Sequence, residues 1–178
     1  MPISEEEMNQ KMAKGLEYKQ EGAVAFKAGQ YEEALKRYHH ALLYLRGLND
    51  NPMSVGKSRD PENLKESDIT ELEKEISTIN ANMALCQLRL ERFDRIVRCA
   101  NEALKVNPFN KKAKFRLAQG LIREGSIIKA AKLLDELEKD SPNDPAFAAE
   151  RRQIDLKEKQ AEIKQRKEFA GMFDRAKK

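Results

Sequence analysis

Lys112 and Arg116 stand four residues apart in the stretch KAKFRLAQGL, ahead of an apolar run and a glycine. Four residues is a little over one helical turn, so both side chains rise from one helix face and can grip a single anion. An ammonium and a guanidinium form charge-assisted hydrogen bonds, and the planar guanidinium fork matches a carboxylate. Two further residues of compatible type lie far off in sequence, Lys19 in YKQEGA and Asn82 in NANMALC. The asparagine amide adds donors without adding charge. A joint site therefore requires elements that bring three distant stretches together.

The chain of 178 residues is long enough for one ordinary domain with a single core. It is 36% charged and 40% hydrophobic, with no Trp and only six Pro, which suits long amphipathic helices and predicts an all-α protein. Its net charge of +4 arises from 34 cations against 30 carboxylates, far from the lopsided balance of a nucleic-acid arm. Aromatic residues are not interleaved with a basic stripe, so a nucleic-acid partner is not expected. The two cysteines, Cys86 and Cys99, sit in apolar helical patterns, which fits a reduced, cytoplasmic setting better than a disulfide framework. The opening MPISEEEMNQ has neither the apolar core of a signal peptide nor the acid-poor bias of a transit peptide. No apolar run approaches the roughly 20 residues that span a bilayer, so no transmembrane segment is expected.

The chain repeats itself. Stretches 18–45, 79–110 and 113–144 each read as an amphipathic helix, a short turn and a second amphipathic helix. Gly22, Ala84 and Ala118 align, followed in register by Tyr31, Phe93 and Ile127 and then by Ala41, Ala103 and Leu137. Pro108 and Pro142 follow the second and third pairs, and they are 34 residues apart, as are Ala103 and Leu137. A small residue lets two helix backbones approach, an aromatic at the turn plugs the gap, and the proline stops the second helix.

The expected organisation is a single domain over 1–178: repeat one at 1–48, a loop at 49–67, repeat two at 68–108, repeat three at 109–144 and a capping helix at 145–176. The polar loop stretch GLNDNPMSVGKSRDPENLKESD separates the first two units. Ser4 is expected to cap the first helix, and Asp68 or Ser67 the helix after the loop, with Glu71 completing a capping box for Asp68. In the last helix Phe147, Ile154 and Ala161, spaced by seven, are expected to cover the open end of repeat three. Beyond Lys157 the sequence is mostly charged and is expected to project from the repeats.

A period of 34 made of helix, turn and helix is the tetratricopeptide signature, and the small, aromatic, alanine and proline positions resemble that family in all three units. Ala84 and Ala118 replace its glycine, and Ile96 its second-helix alanine. The resemblance implies three repeats in a right-handed superhelix, with the first helix of each pair lining a concave groove. YEEALKRYHHALLYLRGL and RKEFAGMF resemble the group of tetratricopeptide repeat protein 9, and FAGMFDRA resembles the end of the tetratricopeptide domain of large immunophilins. The isomerase domain of immunophilins is not part of that resemblance, and no enzymatic activity is expected.

On the family register Lys19, Asn82, Lys112 and Arg116 coincide with a carboxylate clamp that holds a C-terminal carboxylate and a neighbouring Asp side chain. Ala23 stands where the family has asparagine. The resemblance implies a co-chaperone or adaptor, with the Glu-Glu-Val-Asp tail of heat shock protein 90 or 70 as partner and no cofactor. The alternative is a scaffold that binds an internal segment of another protein, with the clamp degraded at Ala23.

Other candidates carry less. His39 and His40 are adjacent, about 100° apart on a helix, with no further ligand at metal spacing. Cys86 has no His nearby in sequence and reads as core. No glycine-rich phosphate loop occurs. The stretch IKQRKEFAGMF combines cations with Ile163, Phe169, Met172 and Phe173, a composition able to take a second partner, calmodulin or an acidic membrane surface among them.

Overall fold

The computed structural model describes residues 4–49 and 63–175. Among the described residues there are seven α-helices and no strand: α1 (Glu5–Lys27), α2 (Tyr31–Asn49), α3 (Glu71–Arg89), α4 (Phe93–Val106), α5 (Lys111–Glu124), α6 (Ile127–Asp140) and α7 (Pro145–Arg175). They pair as α1 with α2, α3 with α4 and α5 with α6, and the pairs stack through α2 on α3 and α4 on α5. First helices also meet directly, α3 against α5.

Small residues set the close crossings. A Cβ added at Gly22 would lie 2.7 Å from the Tyr38 ring, so α1 approaches α2 only because glycine is there. Ala84 and Ala118, at the matching positions, are fully buried. The helix-to-helix turn places one residue in the left-handed region in every repeat: Gly29 (φ 76°), Glu91 (φ 56°) and Gly125 (φ 89°). Glycine adopts this conformation freely, whereas Glu91 does so against a steric penalty of about 1–2 kcal/mol. Tyr38, Leu45, Ile76 and Ile79 anchor the core between the first two repeats, and Ile122, Leu134 and Leu137 that of the third.

The caps are local chemistry. Ser4 and Glu7 form the expected capping box on α1. The cap of α3 is Thr70, paired with Glu73, and not Asp68 or Ser67. Asp68 closes a 3₁₀ turn, Glu66–Asp68, in which its carboxylate accepts from the Lys65 N–H at 2.9 Å, and is thereby engaged before the helix begins. Residues 50–62, most of the expected loop, lie outside the described residues.

Helix α7 starts at Pro145, where a missing N–H costs nothing, and packs on repeat three through Phe147 and Ile154, both buried. The Phe147 ring tilts against Phe115 of α5 at 5.1 Å. Arg151 ties α7 to α6 by ion pairs to Asp135 and, at 2.9 Å, Glu138. Ala161 is exposed, contrary to the heptad expectation. With 31 residues α7 is about 46 Å long, against about 21 Å for the 14 residues of α5, so it runs past the end of the repeat after Ile154. Ile163 and Phe169 on the projecting part are exposed, and the side chains of Met172 and Phe173 lie outside the described residues. No described helix is long and apolar enough to cross a membrane.

Candidate peptide-binding site

Each first helix carries residues at spacings of three, four and seven, which place them on one face. On α1 these are Lys19, Ala23 and Phe26, on α3 Glu75, Asn82 and Arg89, and on α5 Lys112, Arg116, Gln119 and Arg123.

What holds α5 in place is a partly buried chain of hydrogen bonds. Asn110 caps α5 by accepting from the Ala113 N–H at 3.1 Å. Its amide donates to the Ser77 hydroxyl of α3 at 2.8 Å, and Ser77 donates to the Ala103 carbonyl of α4 at 2.9 Å. The N-terminal half of α5, which bears Lys112 and Arg116, is thereby tied to the helix that bears Asn82.

The five residues singled out from sequence have different surroundings. Lys19 makes an ion pair with Glu75, Nζ to Oε2 2.5 Å, across from α1 to α3. Ala23, half-buried, offers no donor. The Asn82 side chain hydrogen-bonds Tyr38, whose hydroxyl burial pushes up to about 12. Lys112 is exposed and has no ion-pair or hydrogen-bond partner among the described residues. Arg116 is half-buried, donates to the neutral Gln119 Oε1 at 2.6 Å, and lies 5.4 Å from the Phe115 ring. Burial pulls the Arg116 guanidinium below its ordinary value; the like charge of Arg89 pulls the same way, and Glu150 opposes both.

Behind Arg116 opens a pocket of about 490 Å³ between the C-terminal halves of α1, α3 and α5. Phe26, Leu85, Leu88 and Phe93 form its apolar wall, and Arg89, Arg116 and Arg123 bring cations to it. Phe93, expected to plug a turn, is 38% exposed and faces this pocket instead. Arg123 is taken up by Glu150 of α7, a buried carboxylate that also accepts from Gln119 at 2.7 Å. Glu75, Arg89 and the wall were missed by sequence reasoning. A signal existed, since Glu75 and Arg89 each stand seven residues from Asn82 and so share its face.

Elsewhere, Cys86 is buried within the first core and its thiol is pushed up to about 12 by burial. The His40 ring rests 5.2 Å from Tyr18, and His39 is held below its ordinary value by burial and then by the charge of Arg46.

The chain matches no protein-family model. It is 26% identical over 155 residues to the peptidyl-prolyl cis-trans isomerase FKBP42 of Arabidopsis thaliana, an alignment covering 87% of this chain and 40% of the relative. The chain thus spans less than half the length of that protein. Among solved structures, the C-terminal tetratricopeptide domain of a Plasmodium falciparum FK506-binding protein superposes with a TM-score of 0.68 at 20% identity, over 88% of this chain and 95% of that one. The first tetratricopeptide domain of Spaghetti (RPAP3), bound to the HSP90 peptide SRMEEVD, does so with a TM-score of 0.60 at 22% identity, over 82% of this chain and 93% of that one. The fold is that of a tetratricopeptide repeat domain. Within that class the chain is similar in sequence to a peptidyl-prolyl cis-trans isomerase and in fold to a domain solved with an HSP90 peptide.

Proposed function

We propose that this chain is a peptide-binding module, a cytoplasmic co-chaperone or adaptor that takes the acidic C-terminal tail of heat shock protein 90 or 70, and not an enzyme. The observation that carries the reading is the state of α5: Lys112 has no described partner and Arg116 bonds only a neutral amide. Two cations of one face, left without counter-charge beside a groove, form a ready site for a carboxylate ligand. Asn82 supplies a further donor from α3, and Lys19 a further cation from α1. The solved complex of a like fold with SRMEEVD supports the choice of peptide class.

Calorimetric titration with SRMEEVD tests this. Wild type is expected to bind on the order of micromolar, and Lys112→Ala with Arg116→Ala to lose that binding. Each lost hydrogen bond to a charged group costs about 1.5–3 kcal/mol, so amidating the peptide's terminus weakens it about tenfold or more.

A second reading, a scaffold for an internal segment, is favoured by one specific feature: Lys19 is already paired with Glu75 and Ala23 offers no donor. In that case amidation leaves affinity unchanged.

A further inference from the structure

The stacking rule of the repeats leaves one groove without its helix. Counted from the aligned Gly22, Ala84 and Ala118, two further sets of residues share a register: Glu21, Met83 and Leu117, then Val24, Cys86 and Gly120. In repeat two, Met83 and Cys86 are buried in one core with Leu42 and Leu45 of α2. In repeat three, Leu117 packs on Ile96 and Ala100 of α4, and a Cβ added at Gly120 would lie 2.7 Å from Val97. These positions are thus where the second helix of one pair lies on the pair that follows. On α1 no helix covers them among the described residues, and Val24 is 68% exposed.

The uncovered face forms a groove of about 580 Å³ between α1 and α2, with Val24, Ala25 and Ala28 in its lining. Val24 stands about 140° round the helix from Lys19, which reaches across to α3, so this groove opens away from the peptide-binding face. Its charge is acidic. Glu17, Glu21 and Glu33 stand against one cation, Arg37, which pairs with Glu21 and Glu33 at 2.9 Å each. Glu17 pairs with Lys14 three residues away on the same exposed helix surface, a bond of little worth in solvent. The end of a solenoid needs polar residues to stay in solution, which accounts for the glutamates but not for an exposed valine.

The projecting end of α7 carries the complementary chemistry. Between Ile163 and Phe169, themselves 56% and 51% exposed, three cations stand against one carboxylate, Glu168. The ion pairs there are loose, Lys164 to Glu168 at 3.9 Å and Arg166 to Glu162 at 4.0 Å. From Ile154 to Phe169 the helix is about 22 Å long, against about 16 Å for the groove from Glu17 to Ala28. Helix α7 packs on α5 and α6, two repeats from α1, and runs unbroken to Arg175, so it meets a groove of this kind in a second copy and not in its own chain. We propose that the groove between α1 and α2 receives the projecting end of α7 from a second copy of this chain. Phe169 is seated on Val24, and the cations before it face Glu17, Glu21 and Glu33. The contact joins two different surfaces, so each pair of copies keeps a free groove and a free α7 and can extend further. It uses none of Lys19, Asn82, Lys112 and Arg116 and is independent of the peptide reading.

Sedimentation equilibrium of wild type, Val24→Glu, Phe169→Glu and an equimolar mixture of the two variants tests this. Both residues are exposed, so the variants are expected to keep the wild-type helical signal in circular dichroism. The average mass of wild type is expected to rise with concentration above the 20.4 kDa of one chain and to fall back toward it at high salt. Each variant alone is expected to stay at the mass of one chain, because it has lost one of the two surfaces. The mixture is expected to associate and to stop at two chains, since it offers one intact groove to one intact α7. The uncharged changes Val24→Ala and Phe169→Ala are expected to weaken association in the same pattern and to a smaller extent. A wild type that keeps the mass of one chain at every concentration overturns the proposal. So does association of either glutamate variant alone to the wild-type extent, which puts the interface elsewhere, and so does a mixture that fails to associate.

Discussion

Lys19 Nζ lies 2.5 Å from Glu75 Oε2, an ion pair that joins α1 to α3 on the face that carries Asn82. The two side chains are 26% and 28% exposed, so the pair is shielded from full solvent screening. An incoming carboxylate must compete with Glu75 for Lys19. Removing a competitor of this kind is worth about 0.5–1 kcal/mol, so Glu75→Gln is expected to tighten SRMEEVD roughly two- to fivefold. The gain is expected to vanish in a Lys19→Ala background. Weaker binding by Glu75→Gln alone would mean that Glu75 orients Lys19 for the ligand.

Ala23, one turn after Lys19, is where the groove lacks a donor. Ala23→Asn is expected to tighten SRMEEVD about tenfold and to leave the amidated peptide unchanged, since one hydrogen bond to a charged group is worth about 1.5–3 kcal/mol. An unchanged affinity for both peptides would place the ligand's terminus away from α1.

Asn110 links three helices through Ser77 and the Ala103 carbonyl. Asn110→Ala removes an N-cap worth about 1 kcal/mol and one partner of a buried hydroxyl. A loss of about 1–3 kcal/mol in urea unfolding is expected, together with weaker peptide binding because α5 is less firmly placed. Asn110→Ser, which keeps a capping oxygen, is expected to recover part of the stability.

Glu91 holds a turn conformation that glycine holds in the other two repeats. Glu91→Gly relieves the left-handed penalty and concedes some unfolded-state entropy, so a net stabilisation of up to about 1 kcal/mol is expected in urea or thermal unfolding. A loss of stability would show that the Glu91 side chain makes a compensating contact.

Cys86 and Tyr38 give the fold an alkaline limit. Burial pushes both up to about 12, from ordinary values of 9.0 and 10.0. Above pH 9.0 the unfolded chain has released protons that the folded chain retains, so stability falls as pH rises through that window. Tyr38→Phe is expected to flatten the decline in pH-dependent unfolding. By the same burial, Cys86 resists alkylation at neutral pH in the native state and reacts once urea unfolds the chain.

The helical fold was legible because its causes are local. The helix-turn-helix period, the Ser4 cap, the glycine and alanine crossings and the Pro145 start each depend on a few neighbouring residues and on steric or hydrogen-bonding needs that hold in any context. Even the misplaced cap of α3 was a choice between two adjacent local signals, Asp68 with Glu71 and Thr70 with Glu73. The 3₁₀ turn took the first and left the second to start the helix.

Sequence by itself determined which residues share a face of each first helix, because that follows from 3.6 residues per turn. Tertiary packing decided which of them are free to act. Lys19 and Glu75 are 56 residues apart in the chain, and Arg123 meets Glu150 across 27 residues, so neither neutralisation is visible until the helices are stacked. The length of α7 against α5 likewise decided that Ile154 is covered and Ala161 is not. Charge pairing between helices depends on crossing geometry and distance, not on spacing along one helix. The pocket that joins Arg89 to Arg116 exists only in the folded chain, where three first helices and the start of α4 bring cationic and apolar side chains to the same space.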